Sequence, residues 1–466
     1  MTGDDTVDGQ KSSILFVAVI SAFLTPFMGS AINLALPSIG KEFNTDAILL
    51  GWIATAYLLS SAVFLLPFGR LADIHGRKKV FLSGMIIFTL SSLVSSIAPN
   101  ISTLLVFRVF QGMGSSMIFA TGIAIVTSVF PVRERGKAIG MTIASVYTGL
   151  SVGPFAGGIL TEYLGWRSIF LFTVLLGITC IYFLLRKVKG EWAESAGEPF
   201  DWKGSLIYGA SLCMLIYGLS RLPSSVGFFL LIPGVAGIFI FIMYELRNPF
   251  PVMQLNLFRN NTIFAWSNTA ALINYSATFA VGFILSLFLQ YIKDYSARDA
   301  GLILLSQPVI MAVVSPLAGK LSDRVEPRLL ATAGMTITSI GLFMLVFVNS
   351  MSIPLLVSTL ILLGTGFGLF SSPNSNAIMS SVSKKHYGIA SGTMGTMRLL
   401  GQMFSMGIVM LIMSFFIGRV PVTVENSPDF LLSIKVAFWL FFGLCIFGIY
   451  ASYARGNMHQ NKVEVE

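Results

Sequence analysis

The chain has 466 residues, of which 55% are hydrophobic and only 11% charged, and its formal net charge is +9. Soluble proteins carry about a quarter of their residues as charge, so this composition excludes a soluble protein and implies an integral membrane protein. The basic excess is spread over short loops between apolar runs instead of being gathered on one face or tail, which excludes a nucleic-acid-binding surface.

A bilayer core of about 30 Å takes about 20 apolar residues as a helix. On that measure fourteen spans are predicted. Eight lie near 14–36, 51–69, 79–98, 101–130, 138–160, 168–186, 204–221 and 226–245. The other six lie near 262–290, 300–318, 328–348, 352–380, 388–416 and 431–453. The run 14–36 is too long for a signal-peptide core and lacks a cleavage-like end, so it is read as the first span. Between the second and third spans lies a polar knot, Gly69-Arg70-Leu71-Ala72-Asp73-Ile74-His75-Gly76-Arg77-Lys78-Lys79. Of the 30 Lys and Arg, 21 fall on the knot's side, 7 on the other and 2 within spans. That bias places the knot and both tails, 1–13 and 454–466, in the cytoplasm of a cell whose plasma membrane the chain crosses.

The chain repeats itself. A second knot, Gly319-Lys320-Leu321-Ser322-Asp323-Arg324, lies 250 residues after the first. Gly112-x-Gly114 matches Gly364-x-Gly366 at an offset of 252, and Gly136, Gly140 and Gly149 match Gly388, Gly392 and Gly401 at the same offset. The expected architecture is therefore all-α, with six-helix bundles at 14–186 and 262–453. Two helices without a counterpart, 204–245, are inserted between them, flanked by cytoplasmic linkers 187–203 and 246–261.

Cys180, Cys213 and Cys445 lie far apart inside apolar runs, and His75, His386 and His459 are scattered through polar segments, so neither a disulfide framework nor a metal site is indicated. No HExxH, GxSxG, Walker A or kinase signature appears, and no cofactor is implied. Gly364-Thr365-Gly366-Phe367-Gly368 follows an apolar helix instead of a strand and reads as helix packing.

The pattern G-x-L-x-D-x-x-G-R-K-K at Gly69, Asp73, Gly76 and Arg77 resembles the loop between helices 2 and 3 of major facilitator transporters. Arg108-Val109-Phe110-Gln111-Gly112 resembles the family's intramembrane arginine motif. Gly149-x-x-x-Gly153-Pro154-x-x-Gly157-Gly158 resembles its antiporter motif. Asn33-Leu34-Ala35-Leu36-Pro37 closes the first span as in drug:proton antiporters with fourteen spans. The resemblance runs from about 14 to 453 and implies export of hydrophobic or amphipathic compounds by alternating access, in exchange for protons, by a monomer.

Each motif also has a physical reading. Small residues four apart let helices approach closely in lipid. Pro154 removes a backbone bond and bends its helix; this is either a packing kink or a seal that favours export. The knots either fix topology or place Asp73, Arg77 and the loop Arg133-Glu134-Arg135 in ion pairs that hold one conformation, with Asp323 and Arg324 as the weaker copy. Arg108 and Arg398 are the two charges inside spans, where a charge normally faces a cavity or a partner. Their counterparts in the repeat are Leu360 and Val146, an asymmetry that suits a site better than a scaffold. Asn33, Tyr57, Gln111, Tyr147, Asn268, Asn274, Tyr275 and Gln307 are further cavity candidates, each equally readable as a helix–helix hydrogen bond.

One departure matters. The family carries an acid in span 1, five residues before the Asn of the N-x-A-L-P ending; here that position is Met28. Glu162, near the outer end of span 5, is the closest acid to a span interior, and Arg167 nearby makes an interfacial salt bridge its simpler reading. Arginine does not titrate at ordinary pH, so the proton acceptor is Glu162, Asp73 or Asp323, or coupling differs from the family pattern. A cavity with Arg108 and Arg398 and no acid would favour neutral or anionic amphiphiles or lipids, and without coupling the chain would be a facilitator.

Overall fold

The computed structural model describes residues 3–188, 190–383, 387–418, 420–421 and 426–456, with side chains from residue 11 onward except at 132–133. The side chain of Arg133, and residues His386 and His459, lie outside the described set. The described residues form helices joined by loops, without strands. The first half comprises α1 (Gly3–Phe43), α2 (Ala47–His75), α3 (Arg77–Ser96), α4 (Ile101–Val129), α5 (Val132–Leu164) and α6 (Arg167–Lys187). A hairpin of α7 (Trp202–Arg221) and α8 (Ser225–Glu245) follows, then a single turn, α9 (Asn256–Asn260). The second half holds α10 (Thr262–Thr278), α11 (Ala280–Leu287), α12 (Ala297–Ser322), α13 (Pro327–Leu345), α14 (Ile353–Ser380), α15 (Tyr387–Phe416) and α16 (Ser427–Ala454).

Several of the helices start where a short polar side chain accepts an orphan amide. Asp46 caps Leu49, Asn100 caps Thr103, Asn261 caps Phe264 and Ser296 caps Asp299. Among the described residues, thirteen stretches are long and apolar enough to cross a bilayer, α10 and α11 joining with a π-turn into one of them, Thr262–Ile292. The expected fourteenth, α7, is 20 residues long but is not among them. Its Gly204, Ser205, Gly209, Ser211, Gly218 and Ser220 dilute the apolar run.

The repeated glycines do the same work in both halves. A Cβ on Gly112 would strike the Tyr57 carbonyl, and one on Gly364 the Gln307 carbonyl. Gly114 abuts Gly84, and Gly366 abuts Gly334. In each half, the fourth helix is thereby pressed against the second and third at backbone distance, the contact that packing in lipid demands. Gly149, Gly153 and Gly157 press α5 onto α1 at Phe23, Ser30 and Ala31, and Gly401 presses α15 onto α10 at Leu272. The α7–α8 hairpin lies outside both bundles. Its inner helix packs on α2 and on α15, so it touches both halves.

Candidate functional site

Between the halves lies a central cavity lined from α1, α2, α4 and α5 on one side and α10–α12, α14 and α15 on the other. Its wall is mostly apolar, with Leu34, Leu58, Phe119, Phe279, Leu304, Met311 and Phe367 on it. Its enclosed part is about 180 Å³, below the roughly 300–1,000 Å³ of a drug-sized pocket, so a larger guest must also use the open space beneath it.

That space opens on one face only. Two seams join the halves, α5 on α12 and α2 on α15. On the face away from the knot both are shut: Gly158 lies against the Ala297 carbonyl, Gly301 against the Pro154 carbonyl, and Gly51 against Met410. Gly140 precedes Gly158 by 18 residues, as Gly392 precedes Met410. Five turns of helix put each pair on one helix face. Yet a Cβ on Gly140 or Gly392, or on Gly136 or Gly388 one turn further, would meet nothing within 4 Å. Both seams part toward the knot face.

The Asn33–Pro37 motif closes the far face by a backbone device. Pro37 has no N–H, so it leaves the Asn33 carbonyl without its helical partner. The Ser286 hydroxyl of the second half donates to that carbonyl at 2.6 Å. Gln290 Nε2 donates to the Leu34 carbonyl at 3.3 Å and the Tyr291 hydroxyl to the Pro37 carbonyl at 3.5 Å. Tyr291 belongs to the π-turn Phe288–Ile292. The span runs on through Phe279, which lies on the cavity wall, keeps an α-region backbone and donates to the Tyr275 carbonyl at 3.2 Å, and it ends in the π-turn.

Residues 18–406 and 268–463 match the profile described as Major Facilitator Superfamily. The chain belongs to this superfamily. It is 30% identical over 447 residues to the riboflavin transporter RibZ of Clostridioides difficile (strain 630), covering 94% of this chain and 96% of RibZ. It is 32% identical to the multidrug resistance protein Stp of Mycobacterium tuberculosis (strain CDC 1551 / Oshkosh), covering 81% and 71% of the two chains. It is 30% identical to the cephamycin export protein CmcT of Amycolatopsis lactamdurans, covering 88% and 87%. Among solved structures, an inward-facing, unoccupied bacterial homologue of the lysosomal transporter Spinster superposes with a TM-score of 0.67 at 15% identity, over 96% of this chain and 97% of that one. A D-xylose–proton symporter superposes with a TM-score of 0.64 at 13% identity, over 92% and 96%. At these identities the likeness establishes the fold alone; the family match and the relatives above make the chain a multi-pass membrane transporter of the major facilitator type.

Within that transporter fold the candidate residues separate into wall and support. Asn33, Tyr57, Tyr275, Gln307 and Arg398 line the cavity. Arg398 is the one charged side chain among the described lining residues, and its guanidinium lies 5.2 Å over the Phe119 ring. Arg108 is fully buried and stands behind the wall. It donates to the Ile53 carbonyl at 2.9 Å and to Gln111 Oε1 at 2.5 Å, and lies 4.5 Å over the ring of Tyr57. Gln111, equally buried, donates on to Ser92. Tyr57 in turn donates to Ser115 at 2.7 Å, so the Arg108 network sets the orientation of a wall residue without reaching the cavity. Tyr147 meets Ser371 across the halves at 3.3 Å. Asn274 is fully buried with both amide atoms unpaired, whereas Asn268 donates to the Phe264 carbonyl.

Two expected ion pairs are replaced by others. Arg167 reaches Glu42, with 2.6 and 2.7 Å contacts, because the loop between α5 and α6 turns it back toward α1. Glu162 is thereby left to accept the backbone N–H of Ala297 at 3.2 Å, capping α12 of the other half on the closed face. At the knot, Asp73 holds Arg77 at 2.9 Å, but the second partner of Arg77 is Glu194 of the linker, at 2.7 Å, where the loop 133–135 was expected. Glu134 pairs instead with Lys11, and Arg135 donates to the Phe130 carbonyl. The linker had no sequence signal beyond mixed charge, yet it straps the knot. Arg70 pairs with Glu198, and Glu191 accepts the N–H groups of Lys78 and Lys79 at the start of α3. Gly76, at φ 115°, is the one residue that admits the Glu191 carboxylate against the backbone. Asp323, Arg324 and Gly319 of the second knot have no such strap among the described ion pairs.

Proposed function

We propose that this transporter exports neutral or anionic amphipathic compounds across the plasma membrane, by rocking its halves about the central cavity in exchange for protons. One observation carries the reading: an apolar cavity shared by both halves, whose described lining holds a single guanidinium, Arg398, and no carboxylate. A cation placed near that guanidinium would be repelled by roughly 1–4 kcal/mol, according to how much water remains between them. An anion gains by the same measure. The names of the relatives support a range of organic solutes, from riboflavin to cephamycin. Cytoplasmic loading fits a knot face that is both open and rich in basic residues.

The proton is assigned to Glu162. It is the acid that spans the closed seam, and neutralising it weakens its hold on the α12 amide. Uptake into inside-out vesicles, with and without a pH gradient, tests both parts using a matched lipophilic anion and cation. The reading predicts anion uptake above cation uptake, driven by the gradient and lost in Glu162→Gln. Cation transport exceeding anion transport would overturn the substrate class. Uptake indifferent to the gradient would make the chain a facilitator.

A further inference from the structure

We propose that Asp201 and Glu245 share one proton, forming a proton-binding site at the base of the α7–α8 hairpin, away from the substrate cavity. Asp201 is the N-cap of α7 and 8% exposed; Glu245 ends α8 and is 2% exposed. Their carboxylates face each other over Gly204, where an added Cβ would fall on both Asp201 Oδ2 and Glu245 Oε1. Every other donor nearby is already committed. Asp201 accepts from the Gly204 amide at 2.9 Å, the Tyr244 hydroxyl at 3.1 Å and Asn248 Nδ2 at 2.7 Å. Glu245 Oε2 accepts the Met253 amide at 3.1 Å, and Oε1 alone has no partner.

Among the described residues, no ion pair compensates either carboxylate. Lys203, Arg247 and Arg259, the nearest in sequence, are exposed and form no ion pair with either carboxylate. Tyr244 donates to Asp201, and a phenol is neutral at ordinary pH; on α2, which packs against α7, Arg70 is committed to Glu198 of the strap. Two buried carboxylates in contact do not both ionise. Asp201 is the better stabilised as an anion, since three donors already point at it. A proton on Glu245 Oε1 then donates to Asp201 Oδ2 and satisfies the orphan oxygen. The apparent titration belongs to the pair.

The position gives the proton a task. Asp201 lies near the end of the linker that straps Arg70 and Arg77 of the first half, while Glu245 holds Met253 in the linker leading to the second. Deprotonation sets like charges against each other where the two linkers meet.

Infrared titration of the full-length protein in lipid tests this, independently of what the cavity carries. The wild type should show a protonated-carboxyl band near pH 7 that survives in Glu162→Gln and is lost in Glu245→Gln. In Asp201→Asn, which removes the anion that opposes a second negative charge, the band should vanish at lower pH; a titration midpoint unchanged within about 0.3 units, set against the 1.36 kcal/mol that each unit represents, or one that rises, would show no such coupling and overturn the proposal. So would a wild type without the band near pH 7, which needs no variant to fold, or a band that appears only after sodium or calcium is withdrawn, which would mean a metal cation there.

Discussion

The three hydrogen bonds from Ser286, Gln290 and Tyr291 to the carbonyls at the end of α1 exist only while the far face is shut, so removing them should shift the conformational balance. The perturbation is the triple substitution Ser286→Ala, Gln290→Leu and Tyr291→Phe, which keeps the side-chain volumes close to their originals. Hydrogen bonds between helices in membranes contribute about 0.6 kcal/mol on average. Three of them amount to about 2 kcal/mol, or about a 30-fold rise in the ratio of far-face-open to far-face-closed protein. Leu34→Cys reports on this directly, because Leu34 lies on the cavity wall above the latch. Cys180 and Cys445 are buried, so replacing the exposed Cys213 leaves one reactive thiol. A membrane-impermeant maleimide supplied from the far face should label the triple variant at least tenfold faster than the parent. Unchanged labelling with lowered thermal stability would show that these bonds serve folding and not gating.

Four further outcomes follow from the same geometry. Gly158→Val should abolish transport while leaving insertion intact, since its side chain would meet the Ala297 backbone and wedge the α5–α12 seam; vesicle flux and a surface-labelling control check it. Arg398→Ala should weaken binding of an anionic amphiphile by about tenfold or more and that of a neutral one far less, the charge acting at roughly 1–4 kcal/mol. Scintillation proximity binding reads the difference. Arg108→Met should cost stability before it costs affinity, because it leaves Gln111 Oε1 buried and unpaired, about 1–3 kcal/mol, and strips the Ile53 carbonyl of its second donor. Thermal unfolding in detergent would show the loss. Gly76→Ala should destabilise by about 1–3 kcal/mol through its positive φ alone, more once Glu191 is displaced, seen as a lower unfolding temperature and faster proteolysis of the 190–200 strap.

Span positions and the two-fold repeat were legible because lipid imposes long apolar runs and close helix contacts impose glycine. Gly112 and Gly364 advertise backbone contacts 252 residues apart. Which polar residues face the cavity was less legible. A buried Arg in a span reads the same from sequence whether it points into the cavity, as Arg398 does, or backs a tyrosine, as Arg108 does. Helix rotation decides between them, and apolar residues all around a span conceal it. The partners of charged residues were the least legible. Arg167 chose Glu42, 125 residues away, over an acid 5 residues away, because chain direction in a tight loop outweighs proximity in sequence. The role of Pro37 was readable in principle: a proline near a span end frees a carbonyl, and only the hydroxyl that collects it had to come from the structure.

The placement of the inserted hairpin has a consequence for how solutes enter. Its inner helix lies along both α2 and α15, covering that seam from the lipid, whereas the hairpin does not pack on α5 or α12. The transporter therefore has one side door and not two. A compound dissolved in the inner leaflet would have its lateral route between α5 and α12, past Gly136 and Gly140, with the opposite flank covered by α7. Carriers built from the two bundles alone would be permeable from both flanks. Here the extra pair of helices imposes a direction of approach within the plane of the membrane.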